Sequence, residues 1–175
     1  MLRKMTLFLL FLALALTASQ ANAQLPLSGL ALVRIYGKHV ELEAHQVVTL
    51  TEQTADFAAL DEMGGVAFRL SFVGTKMLII GPNGDTAMGA GKLKTLLSLP
   101  LTKDELIRII RHERPDTFLE TATGRWENRR HKKLTAIFSE MGEAKGSALD
   151  FPAHVVIAYK KNALDFRWIS FAKTP

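Results

Sequence analysis

The chain has 175 residues, of which 48% are hydrophobic and 22% are charged, and it contains no cysteine. Charged and aromatic residues are interspersed along the sequence, which is typical of a folded domain and argues against disorder. Without cysteine there is no disulfide framework, so stability has to come from a hydrophobic core.

The first 23 residues have the three parts of a secretory signal peptide: Arg3 and Lys4, an apolar run at residues 7–16, and the small-residue site Ala21-Asn22-Ala23. The run is shorter than the roughly 20 apolar residues that span a bilayer. We therefore expect cleavage near Ala23 and one domain at residues 24–175. Without Arg3 and Lys4, 20 of the 22 Lys and Arg residues remain, against 17 Asp and Glu. This small excess of positive charge makes nucleic acid an unfavourable partner. No cysteine is present to carry acyl chains, so we expect a soluble periplasmic protein.

Alternating apolar and polar side chains predict strands of an antiparallel sheet with one apolar face and one face toward water. At residues 40–50 the polar face carries Glu41, Glu43 and His45, and His39 precedes them on the same face. We interpret this face as solvated. At residues 66–72 the alternation repeats. Further strands are predicted at residues 77–80, 134–140, 154–160 and 164–171, with a hairpin connection at 161–163.

Two helices are predicted in the middle of the chain. Thr102 and Glu105 form a capping box, and Leu101 and Leu106 occupy the positions of a hydrophobic staple. Beyond this start, Leu106, Ile109 and Ile110 lie on one face, with Arg108, Arg111 and His112 expected toward water. A shorter helix is predicted from the spacing of leucines at residues 93–97, and residues 51–63 are interpreted as a helical turn or a loop.

The sequence shows no motif of a catalytic or metal site. The glycine-rich residues 81–92 lack the phosphate-loop spacing, which would need glycine at Thr86 and serine or threonine at Leu93, so turns between strands are predicted there. The five histidines are scattered singly, without the paired spacing of zinc ligands. There is no Gly-x-Ser-x-Gly elbow and no serine beside a histidine. We expect no catalytic site, cofactor or metal, and a hydrolase is the least favoured function.

Residues 125–133 read Arg-Trp-Glu-Asn-Arg-Arg-His-Lys-Lys and carry five Lys or Arg against one Glu. Two interpretations stay open: a solvated strand and turn, or a patch facing an anionic membrane surface or an acidic partner protein. Trp126 is consistent with either an interface or a core position. The candidate patch consists of Arg125, Arg129, Arg130, Lys132 and Lys133.

The order of these parts resembles the LolA/LolB superfamily of outer-membrane lipoprotein-sorting proteins. The resemblance is carried by Gly81-Pro82-Asn83-Gly84, by residues 97–101 (Leu-Ser-Leu-Pro-Leu) leading into a helix at 105–111, and by Phe151-Pro152 before the last hairpin. It covers most of the chain after about residue 65. It implies an α+β fold, in which a curved antiparallel sheet forms an incomplete (half) β-barrel covered by short helices. An apolar cavity in that fold takes the acyl chains of a lipoprotein or lipid.

Two departures separate this chain from the receptor branch of that family. The receptor branch has an anchoring cysteine, and its loop tip, here Pro82 and Asn83, carries a protruding leucine where this chain has the polar Asn83. Both departures favour a carrier. The cavity wall is expected to combine one face of the predicted strands and helix: Val40, Leu42, Phe68, Leu70, Phe72, Leu106, Ile109, Ile110, Phe138, Val155, Ile157, Phe166 and Trp168.

The predicted function is thus a soluble periplasmic carrier or chaperone that binds acyl chains without covalent chemistry. The alternative is a periplasmic sensor or adaptor that uses the same fold to bind a protein partner, for which the basic residues 125–133 are the candidate contact.

Overall fold

The structure is a computed structural model that describes residues 27–37, 41–51, 54–139 and 152–173. Within these residues the chain forms eleven strands, a single 3-10 turn at Ala90–Lys92, and two α-helices, α1 (Leu93–Leu97) and α2 (Lys103–Ile110). The strands are β1 (Leu27–Tyr36), β2 (Glu41–Leu50), β3 (Ala55–Leu60), β4 (Val66–Val73), β5 (Lys76–Ile80), β6 (Thr86–Gly89), β7 (Phe118–Ala122), β8 (Arg125–Asn128), β9 (Leu134–Ser139), β10 (His154–Tyr159) and β11 (Asn162–Lys173).

All strands belong to one antiparallel sheet in the order β6-β5-β4-β3-β2-β1-β11-β10-β9-β8-β7. The sheet is curved and does not close, so β6 and β7 are its two edges. The predicted curved antiparallel sheet is therefore confirmed, while the helical part of the α+β prediction amounts to two short helices.

The strands predicted from alternation are all present, and their apolar faces point to the core, although in β4 only Phe72 is fully buried while Val66 is exposed. In β2, for example, Val48 and Leu50 are fully buried, while Glu41, Glu43 and His45 are exposed. On the polar face of β2, Glu43 accepts a hydrogen bond from Arg34 Nε at 2.6 Å. His39 and Val40 lie outside the described residues.

Two local predictions need correction. Residues 55–60 form neither a helical turn nor a loop, because β3 lies there and pairs with both β2 and β4; residues 52–53 lie outside the described residues. The last hairpin turns at Lys160 and Lys161, one residue earlier than predicted, since Tyr159 pairs with Asn162. Lys160 adopts φ +58°, which lets the two strands join through two residues.

Helix α2 begins as predicted. Thr102 Oγ1 accepts a hydrogen bond from Glu105 N at 3.2 Å, and the Glu105 carboxylate accepts one from Thr102 N at 2.8 Å. Leu101 and Leu106 are both buried, as a hydrophobic staple requires. The expectation that Arg111 faces water is wrong: its side chain is 4% exposed, and its Nε donates to Glu113 Oε1 at 2.7 Å.

The two helices cover the inner face of the sheet, and the core lies between them. Ile109 of α2 is completely buried, together with the strand residues Phe72, Ile157 and Phe166. Trp126 of β8 is also 5% exposed and belongs to this core. The core is not filled evenly, because part of the space under the helices is left open.

Candidate functional site

An apolar cavity of about 280 Å³ lies between the inner face of the sheet and the two helices. Strands β1 to β5 and β11 form its floor, and α1 and α2 form its cover. Fifteen of its sixteen lining residues are apolar, and the remaining one is the buried Gln46 of β2. The lining consists of Val33, Ile35, Leu42, Gln46, Phe57, Phe68, Leu70, Phe72, Ile79, Leu93, Leu96, Leu97, Leu106, Ile110, Leu164 and Phe166.

The cavity is accessible at the side formed by β4, β5 and α1. Leu96 of α1 is 45% exposed although it lines the cavity, and Phe68, Leu70 and Ile79 are only partly buried. In a tightly packed core these side chains would cover one another. Their exposure leaves the cavity open to solvent on this side.

Seven of the thirteen predicted wall residues line this cavity: Leu42, Phe68, Leu70, Phe72, Leu106, Ile110 and Phe166. Five others, Ile109, Phe138, Val155, Ile157 and Trp168, are buried in the core away from the cavity wall, so their predicted place is corrected. They lie on the same faces as the wall residues, but other side chains pack directly against them. Val40 lies outside the described residues.

Nine lining residues were not predicted: Val33, Ile35, Gln46, Phe57, Ile79, Leu93, Leu96, Leu97 and Leu164. The sequence offered a signal for some of them, since Leu93, Leu96 and Leu97 have helical spacing and Leu164 follows the alternation of β11. Val33 and Ile35 belong to β1, for which the sequence pattern predicted no strand.

A second depression, which we name the polar groove, lies beside the helices. It consists of two adjoining pockets of about 210 and 350 Å³ that share Lys94, Pro100 and His131. Helix α1 separates the groove from the cavity, because Leu93, Leu96 and Leu97 line the cavity while Lys94 and Thr95 line the groove. The remaining groove residues are Ser98, Leu99, Leu101, Thr102, Glu105, Thr117, Asn128, Arg130 and Tyr159.

The basic residues 125–133 form strand β8 and the turn that follows it. Arg125 is paired with Glu127 at 3.1 Å, whereas Arg129, Arg130, Lys132 and Lys133 are exposed on the turn. The buried Asn128 holds this turn, since its Oδ1 accepts hydrogen bonds from Arg130 N and His131 N, both at 2.9 Å. The structure thereby places Arg130 and His131 at the polar groove.

The loop tip predicted at Pro82 and Asn83 lies in the turn between β5 and β6, and both residues are exposed. Gly84 closes this turn with φ +106°, and its N donates to Gly81 O at 3.1 Å. The glycine-rich residues 81–92 therefore contain turns, as predicted, together with the short strand β6.

The fold brings together a serine, a histidine and an aspartate that are distant in sequence. Ser139 Oγ lies 2.8 Å from His154 Nδ1, and His154 Nε2 lies 2.8 Å from Asp165 Oδ1. These residues occupy neighbouring strands β9, β10 and β11, and none of them lines the cavity or the groove. The three side chains form a cross-strand hydrogen-bond network.

Among the described residues, no three His, Cys, Asp or Glu side chains are grouped closely enough to hold a metal ion. In the same residues, no helix has the length and apolar character needed to cross a membrane.

No known family model matches this sequence, and no curated protein is significantly similar to it. Among solved structures, the fold is similar to the crystal structure of a LolA superfamily protein from Nitrosomonas europaea. The TM-score is 0.51 with 88% of each chain covered, while the sequence identity is 8%. The likeness therefore concerns the fold: this protein has a LolA-like architecture, a curved and unclosed antiparallel sheet with few helices.

Proposed function

We propose that the protein is an exported carrier that binds an acyl chain in the apolar cavity, without covalent chemistry. The observation that carries the proposal is an accessible cavity of about 280 Å³ with fifteen apolar lining residues. Sites for small ligands are typically concave and mostly apolar, with few polar groups. The LolA-like fold is consistent with such a role.

The size of the cavity suits part of one acyl chain. An apolar cavity of about 150 Å³ is sufficient for benzene, so the space here has room for roughly a dozen carbon atoms. Each buried methylene contributes about 0.8 kcal/mol, or about 8 kcal/mol for ten of them. Association and chain ordering cost several kcal/mol of this gain. The net affinity then falls near the millimolar range, which allows a carrier to release its ligand.

Export to the periplasm is part of the proposal and depends on residues 1–23, which have the charge, apolar run and small-residue site of a signal peptide. The exposed polar Asn83 at the turn between β5 and β6 favours a carrier over a protein that inserts this turn into lipid. Mass measurement of the protein secreted by an expressing cell tests this part, with a mature chain beginning near Gln24 as the expected result.

The cavity itself is tested by isothermal titration with dodecanoate. We expect saturable binding to the normal protein and at least about a tenfold loss of affinity in Leu70→Glu, because the new carboxylate has to be desolvated in the apolar wall. The matched control is Val73→Glu on the same strand. Val73 is 56% exposed and does not line the cavity, so its affinity should stay within about twofold of normal.

Circular dichroism and a thermal melt establish whether each variant is folded. If Leu70→Glu does not fold, Leu96→Trp replaces it, because Leu96 is 45% exposed and a larger ring there can fill the cavity from its accessible side. The proposal is wrong if dodecanoate does not bind the normal protein, or if Val73→Glu weakens binding as much as the wall variant. An empty, fully stable protein would instead favour the sensor or adaptor function.

A further inference from the structure

The polar groove concentrates hydrogen-bond donors from three separate parts of the fold. Lys94 and Thr95 come from α1, Arg130 and His131 come from the turn after β8, and Tyr159 comes from the end of β10. The ammonium and guanidinium groups act only as donors, and the hydroxyl of Thr95 and the phenol of Tyr159 add two more. This composition suits a ligand that presents several acceptor oxygens.

The single carboxylate of the groove is already engaged by its own neighbours. Glu105 Oε2 accepts hydrogen bonds from Thr102 N at 2.8 Å and from Thr102 Oγ1 at 3.0 Å, and Glu105 Oε1 accepts one from Thr117 Oγ1. By contrast, among the described residues neither Lys94 nor Arg130 has a carboxylate within ion-pair distance. The two cations of the groove are therefore available to a ligand, and the one anion is occupied.

The walls of the groove are held in place by contacts between the elements that form it. Asn128 Oδ1 fixes the turn that carries Arg130 and His131. The rings of His131 and Tyr159 meet edge to face at 6.3 Å, and Asn162 Nδ2 donates to Ser98 O at 3.2 Å. These contacts fix the walls of the groove, so binding mainly has to order the exposed side chains of Lys94 and Arg130.

Further positive charge surrounds the groove. Lys160 Nζ lies 5.2 Å from the centre of the Tyr159 ring, and Lys132 and Lys133 are exposed on the same turn as Arg130. Such a field raises the local concentration of anions at the groove.

We propose that the polar groove binds a phosphate group through Lys94 and Arg130. A tetrahedral phosphate presents oxygens in several directions, which suits a pocket lined both by Lys94 of α1 and by Arg130 of the turn after β8. Arginine and lysine are the usual phosphate ligands, arginine through its planar fork and lysine as a point charge. The phosphate belongs either to a small free phosphate ester or to the headgroup of an anionic phospholipid.

Two double variants with the same change in net charge test this site. Lys94→Gln with Arg130→Gln removes the cations that line the groove, and Lys132→Gln with Lys133→Gln removes two exposed cations of the same turn that do not line it. Glycerol 3-phosphate is titrated into each protein by calorimetry. Sedimentation with vesicles of phosphatidylglycerol, and with vesicles of phosphatidylcholine as the neutral comparison, measures binding to lipid.

We expect saturable binding of glycerol 3-phosphate to the normal protein, a loss of at least about tenfold in the groove variant, and a change of less than about threefold in the control. Binding to phosphatidylglycerol vesicles alone, with the same dependence on Lys94 and Arg130, identifies the headgroup as the source of the phosphate. Equal weakening by both variants would show diffuse surface attraction and overturn the proposal. Binding of polyglutamate without any binding of either phosphate would overturn it in favour of an acidic protein partner.

The groove and the cavity are tested independently of each other. The groove variant should bind dodecanoate normally, because Lys94 and Arg130 do not line the cavity. Failure of the phosphate experiment therefore leaves the acyl-binding proposal untouched, and failure of the dodecanoate experiment leaves the groove untouched.

Discussion

The imidazole ring of His112 stacks on the indole ring of Trp126, with 5.2 Å between the ring centres and 13° between the planes. His112 follows helix α2 and adopts φ +57°, a conformation that glycine usually supplies at this position. Glu113 N donates to Arg108 O at 2.7 Å and His112 N donates to Ile109 O at 3.0 Å, which is the Schellman pattern of a helix end. The end of α2 is thereby fastened to the core beside β8.

This packing makes the stability of the protein depend on pH. Burial lowers the pKa of His112 below its ordinary value of 6.5, and the nearby Glu120 opposes this only in part. The unfolded chain therefore binds a proton at a higher pH than the folded protein does. The stabilising contribution of the neutral ring is complete above about pH 6.5 and decreases as the pH falls toward the lower folded-state pKa.

We expect His112→Asn to remove this part of the pH dependence, because asparagine tolerates a positive φ but does not titrate. Urea unfolding at about pH 7.5 and about pH 5.5 provides the measurement. The control is His45→Asn on the exposed face of β2, which should keep the pH dependence of the normal protein. If His112→Asn loses as much stability between the higher and the lower pH as the normal protein does, His112 is not the source of the pH dependence.

The capping box of α2 should contribute measurably to stability. Thr102→Ala removes the acceptor for Glu105 N and should lower the free energy of unfolding by about 1 kcal/mol. Thr102→Ser keeps the hydroxyl and should stay within about 0.5 kcal/mol of normal. Denaturant unfolding measures both, and a Thr102→Ala protein as stable as the serine variant would contradict the cap.

Gly124, in the turn between β7 and β8, is required both for its conformation and for its lack of a side chain. It has φ +71°, and a Cβ atom there would lie 3.1 Å from Phe138 O. Gly124→Ala should therefore cost at least about 1 kcal/mol in the free energy of unfolding. Gly89→Ala is the control, because Gly89 has φ −66° and a Cβ atom there would meet no atom within 4 Å beyond its chain neighbours. It should be neutral within about 0.5 kcal/mol, and equal effects would contradict the assignment.

Substitutions in the core should mainly lower the stability of the protein, whereas substitutions in the cavity wall should mainly weaken ligand binding. Ile109→Ala should cost about 2–5 kcal/mol in unfolding, since Ile109 is fully buried away from the cavity wall. Leu96→Ala should cost less than about 1 kcal/mol but weaken dodecanoate binding about fivefold, because Leu96 is partly exposed and lines the cavity. If, under conditions where both variants are folded, Ile109→Ala weakens dodecanoate binding more than Leu96→Ala does, the cavity is not the binding site.

Alternation predicted strands wherever one face is apolar and the other polar, as in β2 and β4. It failed for β1, whose sequence Leu-Ser-Gly-Leu-Ala-Leu-Val-Arg-Ile-Tyr has apolar residues on both faces at the centre of the sheet. It failed also for β3, where Phe57, Ala58 and Ala59 are all buried. The edge strands β6 and β7 show no alternation that would predict them, whereas β8 falls within residues 125–133, where a strand and turn was one of the two open interpretations.

The candidate site was predictable only in part. A hydrophobic pattern shows which face of a strand or helix a side chain occupies, but not whether that side chain lines a cavity or packs in the core. Leu106 and Ile109 share the apolar face of α2, yet one lines the cavity and the other is packed in the core. The polar groove was not predictable from spacing at all. Lys94 and Arg130 lie far apart in the sequence, and only the folded chain brings them to the same depression.

Native mass spectrometry of the protein, purified without detergent from the cells that express it, tests the central claim most directly. We expect a complex heavier than the polypeptide by the mass of an acyl-containing compound, which is released on denaturation and is absent in Leu70→Glu. A protein of polypeptide mass alone, which also takes up no dodecanoate when this is added, would contradict the claim that the apolar cavity is a binding site for acyl chains.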